Sequence, residues 1–385
     1  MRDLVTALQQ RRLDGLYRSR KVQQGMQGVE VVLDGKPCLA FCSNDYLGLS
    51  HHPDVIKAMH QGIDEFGVGS GAAHLINGHS KAHHALEEEL AGFVQRPRAL
   101  LFSTGYMANL GVISALLQRG DRVFEDRLNH ASLIDAGLLS GARFIRYAHA
   151  DSKDLEEKFS GHHAGDSLVA TDGVFSMDGD LAPLPELAQL CNNSDAWLVV
   201  DDAHGLGVLG EHGGGTIEHY GMSPGDVPIL MGTLGKAFGT FGAFVAGSEA
   251  LIETLINQAR SYIYTTASPP AIAAATRVSL KLVQQESWRR EKLNSLVAQF
   301  RTGAQSLGLE LLASPTPIQA VMIGDSQCAV DCSDALWRQG IYIPAIRPPT
   351  VAAGTARLRV SFSADHEPEH IVRLLDALES VLCKK

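Results

Sequence analysis

The stretch Ala196-Trp-Leu-Val-Val-Asp-Asp-Ala-His204 joins a short apolar run to two carboxylates and a histidine. An apolar run of this length is typical of a buried strand in an α/β sheet. In such sheets the chemistry lies at the carboxyl ends of the strands. Because burying unpaired carboxylates costs free energy, we interpret Asp201 and His204 as functional residues.

A second motif, Gly232-Thr-Leu-Gly-Lys-Ala-Phe-Gly239, places a lysine among small residues. Small residues leave the lysine amine reachable and let the backbone approach a bulky ligand. Taken alone, such a loop is more often an ordinary turn or a phosphate contact. Lys236 can form a Schiff base, and Asp201 can hold a pyridine nitrogen protonated. The pair therefore suggests pyridoxal phosphate as cofactor.

The bulk composition excludes several classes of function. The chain has 385 residues, 45% hydrophobic content and a formal charge of −10, which argues against a nucleic-acid or membrane-surface binder. Six scattered cysteines without a CxxC pair, no signal peptide and no apolar run that spans a bilayer lead us to expect a reduced, cytoplasmic protein. Basic residues between Arg11 and Lys21 either meet an acidic carrier or form a solvated helix face.

Periodicity and turn residues predict alternating helices and strands. We predict an amphipathic helix to about residue 20 and a hairpin over residues 29–42 that turns at Asp34-Gly35. Further strands are predicted at residues 99–102, 167–171, 197–201, 229–232 and 242–246, and helices at 84–93 and from Gly105. Beyond these, helices are predicted at 289–307 and 373–382, and strands at 318–323, 341–344 and 358–362.

This alternation favours an α/β fold with a mainly parallel sheet and helices on both faces. We divide the chain into an N-terminal helix and hairpin segment (residues 1–45), a large cofactor-binding domain (46–284) and a smaller C-terminal α+β domain (285–385). Neither an internal repeat nor a low-complexity linker is visible.

The two motifs belong to a longer ordered series. Its members are Phe41-Cys-Ser-Asn-Asp-Tyr-Leu-Gly-Leu49, Gly69-Ser-Gly71, Ser103-Thr-Gly-Tyr106, Asn129-His-Ala-Ser132, Gly173-Val-Phe-Ser-Met-Asp-Gly-Asp180, Asp201-Asp-Ala-His204, the Lys236 loop and Arg347-Pro-Pro-Thr350. With this series the chain resembles the α-oxoamine synthases, pyridoxal-phosphate enzymes of the aspartate-aminotransferase type (fold type I). The resemblance covers nearly the whole chain.

The resemblance implies roles for four catalytic residues. Lys236 would carry the cofactor and later move protons, and Asp201 would protonate the pyridine nitrogen. His204 would hydrogen-bond the phenolic oxygen of the cofactor. His130 would stack on the cofactor ring and help position the substrate, although a lone histidine is more often an ordinary core or loop residue.

Further residues are expected around the cofactor phosphate and the substrate. A helix that begins at Gly105 and Tyr106 offers an anion site at its N-terminus. Hydroxyl groups are expected from Thr233 and Ser176. Thr265 or Thr266 is expected to reach the cofactor phosphate in the partner subunit of a homodimer. Arg347 is expected to bind the amino-acid carboxylate, for which a guanidinium has suitable bidentate geometry. The remaining substrate candidates are Asn44, Thr350, His130 and Arg18, with Tyr17 as the alternative to Arg18 and Asp172 as a helper.

Three other patterns are interpreted as structural. Gly205-Leu-Gly-Val-Leu-Gly210 fits GxGxxG, but Glu-His-Gly-Gly-Gly follows where a dinucleotide site needs a helix. His79, His83 and Glu87 fall on one predicted helical face, yet no HExxH pattern accompanies them, so we expect no metal. Cys328 and Cys332 have no partner pair and are interpreted as ordinary thiols.

The expected reaction is condensation of L-alanine with a pimeloyl thioester, carried by acyl carrier protein or coenzyme A, with loss of CO₂. The substrates come from the resemblance, since the residues alone support only carbanion chemistry on pyridoxal phosphate. Alternatives are a synthase that uses glycine or serine, such as glycine C-acetyltransferase, or an aminotransferase. A regulatory module without turnover is the alternative from another class, which the acidic charge and complete set of catalytic residues disfavour.

Overall fold

The computed structural model describes residues 3–14, 16–161 and 163–382. These residues form two units. The large unit comprises Asn44–Ser176 and Asp180–Lys292, and the small unit comprises the described parts of Met1–Ser43, Met177–Gly179 and Leu293–Lys385. The three-segment division made from the sequence stays a prediction. Within the described residues, no helix has the length and apolar character needed to cross a membrane.

The strands, in chain order, are β1 (Gln23–Gln24), β2 (Glu30–Leu33), β3 (Lys36–Ala40), β4 (Arg98–Phe102), β5 (Arg122–Asp126), β6 (Arg143–Tyr147), β7 (Ser167–Asp172), β8 (Trp197–Asp201), β9 (Ile229–Thr233), β10 (Ala243–Gly247), β11 (Ile318–Gly324), β12 (Ile341–Tyr342), β13 (Ala345–Ile346) and β14 (Ala356–Ser361).

The helices are α1 (Leu4–Leu13), α2 (Pro53–Phe66), α3 (Lys81–Phe93), α4 (Gly105–Leu116), α5 (Ala131–Ser140), α6 (Ser152–Phe159), α7 (Leu184–Asn193), α8 (Gly215–His219), α9 (Glu249–Gln258), α10 (Arg260–Ile263), α11 (Pro270–Gln285), α12 (Trp288–Ser306), α13 (Ser326–Arg338) and α14 (Pro368–Leu382). A short π-helix, His74–Gly78, precedes α3.

The large unit is built on a seven-stranded sheet with the order β4-β10-β9-β8-β7-β5-β6. Strand β10 is antiparallel to both neighbours, and the run from β9 to β6 is parallel. Every residue of β7 and of β10 is buried, as expected for strands covered on both faces. The predicted α/β fold with a mainly parallel sheet is confirmed.

Helices cover the sheet through two separate apolar clusters. Along β8, Val199 belongs to a cluster that contains residues of α4, α5 and α9. Its neighbours Leu198 and Val200 belong to the other cluster, with residues of α6, α7 and α8. Successive side chains of a strand point to opposite faces, so the two clusters lie on the two faces of the sheet.

The carboxyl ends of the parallel strands meet at one edge of this sheet. Asp126, Asp172, Asp201 and Thr233 are the last residues of β5, β7, β8 and β9. Asp172 lies directly beside Asp201, and Asp201 beside Met231. Four polar residues that are far apart in the chain therefore lie along one edge, where α/β folds bind ligands.

The small unit contains two sheets, β1-β2-β3-β12 and β11-β14-β13. The predicted hairpin is confirmed, with β2 antiparallel to β3 and positive φ angles of 49° at Asp34 and 77° at Gly35. The prediction of an amphipathic N-terminal helix to residue 20 is wrong. Helix α1 ends at Leu13 and buries no residue, so no apolar contact extends it.

Candidate active site

Lys236 lies in a tight turn after β9, in the large unit. The turn is closed by the amide of Gly239, which donates to the carbonyl of Lys236 at 2.8 Å. Glycine is required at position 239 of this turn, because φ is 63° there and a Cβ would collide with the backbone of Ser50. The half-buried Lys236 Nζ lies 2.8 Å from His204 Nε2. The structure thus brings the two sequence motifs into direct contact.

His204 is held between the lysine and a buried tyrosine. Its Nδ1 lies 2.7 Å from the hydroxyl of Tyr46, a fully buried residue. Either the hydroxyl donates to Nδ1 and Nε2 donates to a neutral amine, or Nδ1 donates to the hydroxyl oxygen and the ammonium donates to Nε2. In both arrangements the imidazole of His204 can exchange a proton with the amine of Lys236. The sequence analysis gave Tyr46 no role.

Asp201 is buried, with 4% of its surface exposed, and both carboxylate oxygens have hydrogen bonds. Oδ1 accepts from the amide of Ala203 at 3.0 Å, and Oδ2 accepts from Asn109 Nδ2 at 2.8 Å. Among the described residues no cationic side chain forms an ion pair with Asp201. A buried carboxylate without a protein cation fits the protonated pyridine nitrogen of pyridoxal phosphate.

Asn109 was missed by the sequence analysis. It is a fully buried amide on α4, and the same Nδ2 also lies 2.8 Å from Ser132 Oγ. It therefore links Asp201 to the first turn of α5. An asparagine in the mostly apolar helix Gly105–Leu116 is the signal that points to it.

His130 precedes α5 and caps it. Its Nδ1 lies 2.7 Å from Ser132 Oγ, and its amide donates to Asp172 Oδ2 at 2.7 Å. The residue as a whole is exposed. The protein around the ring still desolvates it and lowers the pKa of His130, which Asp201 opposes and Lys236 reinforces. A neutral imidazole suits stacking on a cationic ring.

Asp172, the predicted helper, is fixed beneath His130. Burial and, next, the charge of Asp201 raise the pKa of Asp172 well above its ordinary value. Its amide donates to Asn129 Oδ1 at 3.2 Å, while its carboxyl accepts from the amide of His130. Asp172 therefore positions the histidine through the backbone.

The candidate phosphate residues lie near the same edge of the sheet. Gly105 is the first residue of α4, and a Cβ there would lie 3.3 Å from the Met231 methyl group. The hydroxyl of Tyr106 donates to the Asp135 carboxylate. Thr233 donates its hydroxyl to the Gly242 carbonyl at 3.2 Å, so it also closes the lysine turn. Ser176 is half-buried in the turn after β7.

Thr265 and Thr266 lie in the loop between α10 and α11. Thr265 is half-buried and Thr266 is exposed, and the preceding Tyr264 exposes 72% of its surface. An exposed loop of this kind is available to a second subunit. The proposed contact with a partner's phosphate stays a prediction.

The candidate substrate residues are divided between the units. In the small unit, Arg18 Nη2 donates to Thr350 Oγ1 at 3.1 Å, and Arg347 Nη2 donates to the Tyr17 carbonyl at 3.4 Å. The ring of Tyr17 lies 4.2 Å below the guanidinium of Arg12. In the large unit, the hydroxyl of Tyr46 lies 3.2 Å from Asn44 Oδ1.

Of the three patterns interpreted as structural, the glycine-rich stretch and the histidine pattern lie in the large unit, and Cys328 and Cys332 lie on α13 in the small unit. Residues 205–210 form a turn without a following helix until α8, and Gly207 and Gly210 have positive φ angles. The prediction that His79 lies on the helical face of His83 is wrong, because the Ser80 cap starts α3 after His79. His74, His79 and His83 bring ring nitrogens within 4.8 Å of one another. His83 uses both nitrogens for hydrogen bonds, to Ser80 and to the Ser268 carbonyl.

The comparison with family models agrees with the cofactor that Asp201 suggests. Residues 36–378 match the family described as aminotransferase class I and II. A serine palmitoyltransferase of S. paucimobilis, solved with a bound PLP–myriocin adduct, superposes with a TM-score of 0.93 at 31% identity, over 99% of this chain and 98% of the other. The fold and site define a pyridoxal-phosphate enzyme of fold type I.

Relatives of higher sequence identity identify the family within this class of enzymes. The chain is 65% identical to the 8-amino-7-oxononanoate synthase of Thioalkalivibrio sulfidiphilus, over 98% of this chain and 97% of the relative. It is 63% identical to that of Nitrosococcus oceani, over 97% and 100%. The crystal structure of the Francisella tularensis 8-amino-7-oxononanoate synthase matches with a TM-score of 0.79 at 34% identity, over 89% of this chain and 97% of the other. The chain belongs to the 8-amino-7-oxononanoate synthase family.

Proposed function

We propose that the chain catalyses the condensation of L-alanine with a pimeloyl thioester to give 8-amino-7-oxononanoate, CO₂ and the free thiol, a step of biotin biosynthesis. The observation that carries this proposal is the contact between Lys236 and His204 beside the buried, unneutralised carboxylate of Asp201. The shared name of relatives 63–65% identical to the chain supports the choice of substrates.

Bound pyridoxal phosphate supplies an electron sink for a carbanion at the amino-acid Cα. Asp201 acts on that property through electrostatics, because a buried carboxylate favours the protonated form of a pyridine nitrogen beside it. Asn109 and the Ala203 amide fix the orientation of the carboxylate. Asp201 therefore gains its effect without moving during turnover.

Lys236 is proposed to hold the cofactor at rest and to carry the proton to and from the substrate Cα during turnover. The small residues around it leave space for the side chain to move between these tasks. His204, at 2.8 Å, provides a neighbouring site for a proton, and Tyr46 holds the imidazole in place.

His130 and the helix α4 are proposed to hold the ring and the phosphate. Asp172 holds the backbone amide of His130 and Ser132 contacts its imidazole, and this ring is proposed to stack on the cofactor. The N-terminus of α4, at Gly105 and Tyr106, provides backbone amides for an anion. Thr233 and Ser176 are proposed as further contacts of the cofactor.

The substrate carboxylate is proposed to bind Arg347, with Asn44, Thr350 and Arg18 as further substrate contacts. The hydrogen bond from Arg18 to Thr350 favours Arg18 over Tyr17 as the substrate residue of this segment. A homodimer is proposed, in which Thr265 or Thr266 reaches the phosphate of the other subunit. Pimeloyl-acyl carrier protein and pimeloyl-coenzyme A are the proposed acyl donors.

A product assay by mass spectrometry tests the proposal. The purified protein is incubated with pyridoxal phosphate, L-alanine and a pimeloyl thioester, and in parallel with glycine and an acetyl thioester. We expect the mass of 8-amino-7-oxononanoate with alanine and no product with glycine. Product from glycine alone would support glycine C-acetyltransferase activity and would contradict the proposed substrates.

Replacement of the lysine tests the mechanism. Lys236→Ala is expected to lower kcat by more than about a hundredfold, because proton transfer and covalent attachment both depend on the amine. Lys281→Ala, in a solvent-exposed lysine of α11, is the matched control and should keep normal activity. Circular dichroism checks that both variants fold. Normal turnover in Lys236→Ala would refute the assignment of the lysine.

A further inference from the structure

Arg96, between α3 and β4, is a buried cation without a protein partner. Only 6% of its surface is exposed, and Nε, Nη1 and Nη2 all lack a hydrogen-bond partner among the described residues. Burial lowers the pKa of Arg96 to about 10, against the opposing charge of Asp226, so the guanidinium remains charged at neutral pH. A buried charge that lacks both counterion and hydrogen bonds destabilises a fold unless a ligand completes it.

The charge of Asp226 favours the charged form of Arg96, but Asp226 forms no hydrogen bond with the guanidinium. Asp226 Oδ2 accepts from the amide and from the hydroxyl of Ser223, each at 2.7 Å. No ion pair within 4 Å joins Asp226 to Arg96 among the residues that the structure describes. The five N–H donors of the guanidinium therefore have no partner among the described residues.

Two cavities of the large unit adjoin Arg96. One has a volume of about 350 Å³, and its walls include Pro97, Leu116, Trp197 and Leu251. Arg96 is the one charged side chain in that lining. The other has a volume of about 240 Å³ and is also lined by Glu218, whose carboxylate repels an anion. The larger cavity therefore combines apolar walls with a single positive charge.

Helix α9 begins at the larger cavity, and Glu249 in its first turn is paired with Arg98. Ser248, its N-cap, and Ala250 and Leu251 of its first turn line the cavity. Helix N-termini carry a partial positive charge that favours anions. A volume of about 350 Å³ lies within the ~300–1,000 Å³ range of small-molecule sites.

We propose that this cavity is a second binding site, which takes an amphipathic carboxylate with its anionic head on Arg96 and its aliphatic chain against the apolar walls. An arginine guanidinium pairs with a carboxylate through two parallel hydrogen bonds. Burying the chain among Leu116, Trp197 and Leu251 contributes the hydrophobic part of the binding.

The proposed site is separate from the one around Lys236. Trp197 and Ile229 are the first residues of β8 and β9, and Gly247 is the last residue of the antiparallel β10. The cavity therefore lies at the amino ends of the parallel strands. The four steps along the strand from Trp197 to Asp201 span roughly 13 Å, at about 3.3 Å for each step. A ligand here occupies the edge of the sheet opposite Asp201.

Calorimetric titration of the holoenzyme with hexanoate tests the proposal, with hexanol and hexylamine as probes that lack the negative charge. We expect saturable binding of hexanoate alone. Arg96→Gln should weaken it by about tenfold to a hundredfold, as expected when hydrogen bonds to a charged group are lost. Arg98→Gln is the matched control, because Arg98 is partly exposed and pairs with Glu249 and Glu253. Undiminished binding in Arg96→Gln, or no saturable binding to wild type, would overturn the proposal.

Two further variants test the proposal without relying on Arg96→Gln. Thr254→Trp fills the larger cavity from α9, leaves Arg96 in place, and should abolish hexanoate binding. Arg96→Met should raise the melting temperature of the ligand-free holoenzyme, because an apolar side chain of similar length replaces an unpaired buried charge. A lower melting temperature in Arg96→Met would show that the protein already satisfies Arg96 and would overturn the proposal.

Discussion

At the residue scale, one asparagine connects the two ends of the candidate site. Asn109 Nδ2 contacts Asp201 and Ser132, and Ser132 contacts the ring of His130. The carboxylate proposed to protonate the cofactor and the histidine proposed to stack on it are thus held by one network. The hydrogen bonds of such a buried polar network restrict the movement of the side chains that they join.

Removing this asparagine should affect the cofactor more than the fold. Asn109→Ala loses a hydrogen bond to a charged group, worth about 1.5–3 kcal/mol, so we expect pyridoxal-phosphate affinity or kcat to fall by about tenfold to a hundredfold. Cofactor titration by absorbance and steady-state kinetics measure the two effects. Ser114→Ala, on the same helix, should change neither quantity. Equal values for Asn109→Ala and wild type would show that Asp201 needs no support from α4.

The residue after Asp201 has a different task. Asp202 is fully buried, and its Oδ2 accepts from the amide of Thr216 at 2.7 Å. A Cβ on Gly173 would lie 2.8 Å from Asp202 Oδ1. Glycine at this position therefore lets the backbone pack directly on the carboxyl group. Burial raises the pKa of Asp202 to about 8, with hydrogen bonds to Thr216 opposing the shift.

This raised pKa predicts a pH dependence of stability. The folded protein keeps the proton of Asp202 up to about pH 8, whereas the unfolded chain releases it near its ordinary pKa of 3.8. The unfolded state binds fewer protons in this interval, so stability falls as pH rises from about 4 to about 8 and loses nothing more from this group above that. Asp202→Asn cannot ionise and should show a shallower decline in urea unfolding between pH 5 and pH 8. Parallel curves for the two proteins would contradict the shift.

At the element scale, His149 connects the loops that follow three strands. It lies after β6, and its two ring nitrogens lie 3.0 Å from Asp126 Oδ1 and 2.8 Å from Asp180 Oδ2. Asp126 ends β5, and Asp180 follows the turn after β7. Burial acts to lower the pKa of His149, but the hydrogen bonds to the two carboxylates outweigh it and raise the pKa to about 10.

We expect His149→Gln to destabilise the large unit in a pH-dependent way. The folded pKa of about 10 exceeds the ordinary 6.5, so the charged histidine contributes its full stabilisation below about pH 6.5 and loses it as pH rises to about 10. At pH 6 the loss should be about 1.5–3 kcal/mol, the range for hydrogen bonds to charged groups. His84→Gln, which removes an exposed pair with Glu88, should cost less than about 1 kcal/mol. A difference from wild type that does not shrink toward pH 10 would contradict this role.

The elements that the sequence predicted and those it missed differ in their surroundings. Strand β8 is predicted to the residue, because an apolar run ends at Asp201. Strands β5 and β6 were missed, because Arg122-Val-Phe-Glu-Asp126 and Arg143-Phe-Ile-Arg-Tyr147 contain charged residues within the strand. Glu125 is nevertheless buried, and its amide partner Asn129 lies four residues further on. The neighbouring strands, which pair on both sides of β5, impose the strand conformation.

At the scale of the whole molecule, the proposed homodimer predicts subunit complementation. One variant, Lys236→Ala, lacks the catalytic amine; the other, Thr265→Ala combined with Thr266→Ala, lacks the proposed phosphate contact. If these threonines act on the partner's cofactor, a mixed dimer contains one site with a wild-type lysine and wild-type threonines. Activity should therefore appear on mixing at limiting pyridoxal phosphate.

The pure variants and their mixture distinguish the possibilities. Each pure variant should be poorly active at limiting cofactor. Co-refolding equal amounts should restore up to about a quarter of the wild-type activity, since random pairing makes half of the dimers mixed and half of the sites in a mixed dimer are complete. A mixture no more active than its components would place the threonines in the same subunit as their lysine, or outside the site. Light scattering on the wild-type protein checks the dimer itself.

The sequence by itself determined the fold class and the hairpin, and it supplied the main candidate residues around Lys236. These features are local, because strands, turns and the positions of Asp201 and His204 after a strand follow from spacing over a few residues. The tertiary structure alone decided which side chains support them. Tyr46 and His204 are 158 residues apart, Asn109 and Asp201 are 92 apart, and only packing brings each pair into contact. For the same reason an unpaired Arg96 is invisible in the sequence, since its burial depends on the elements that surround it.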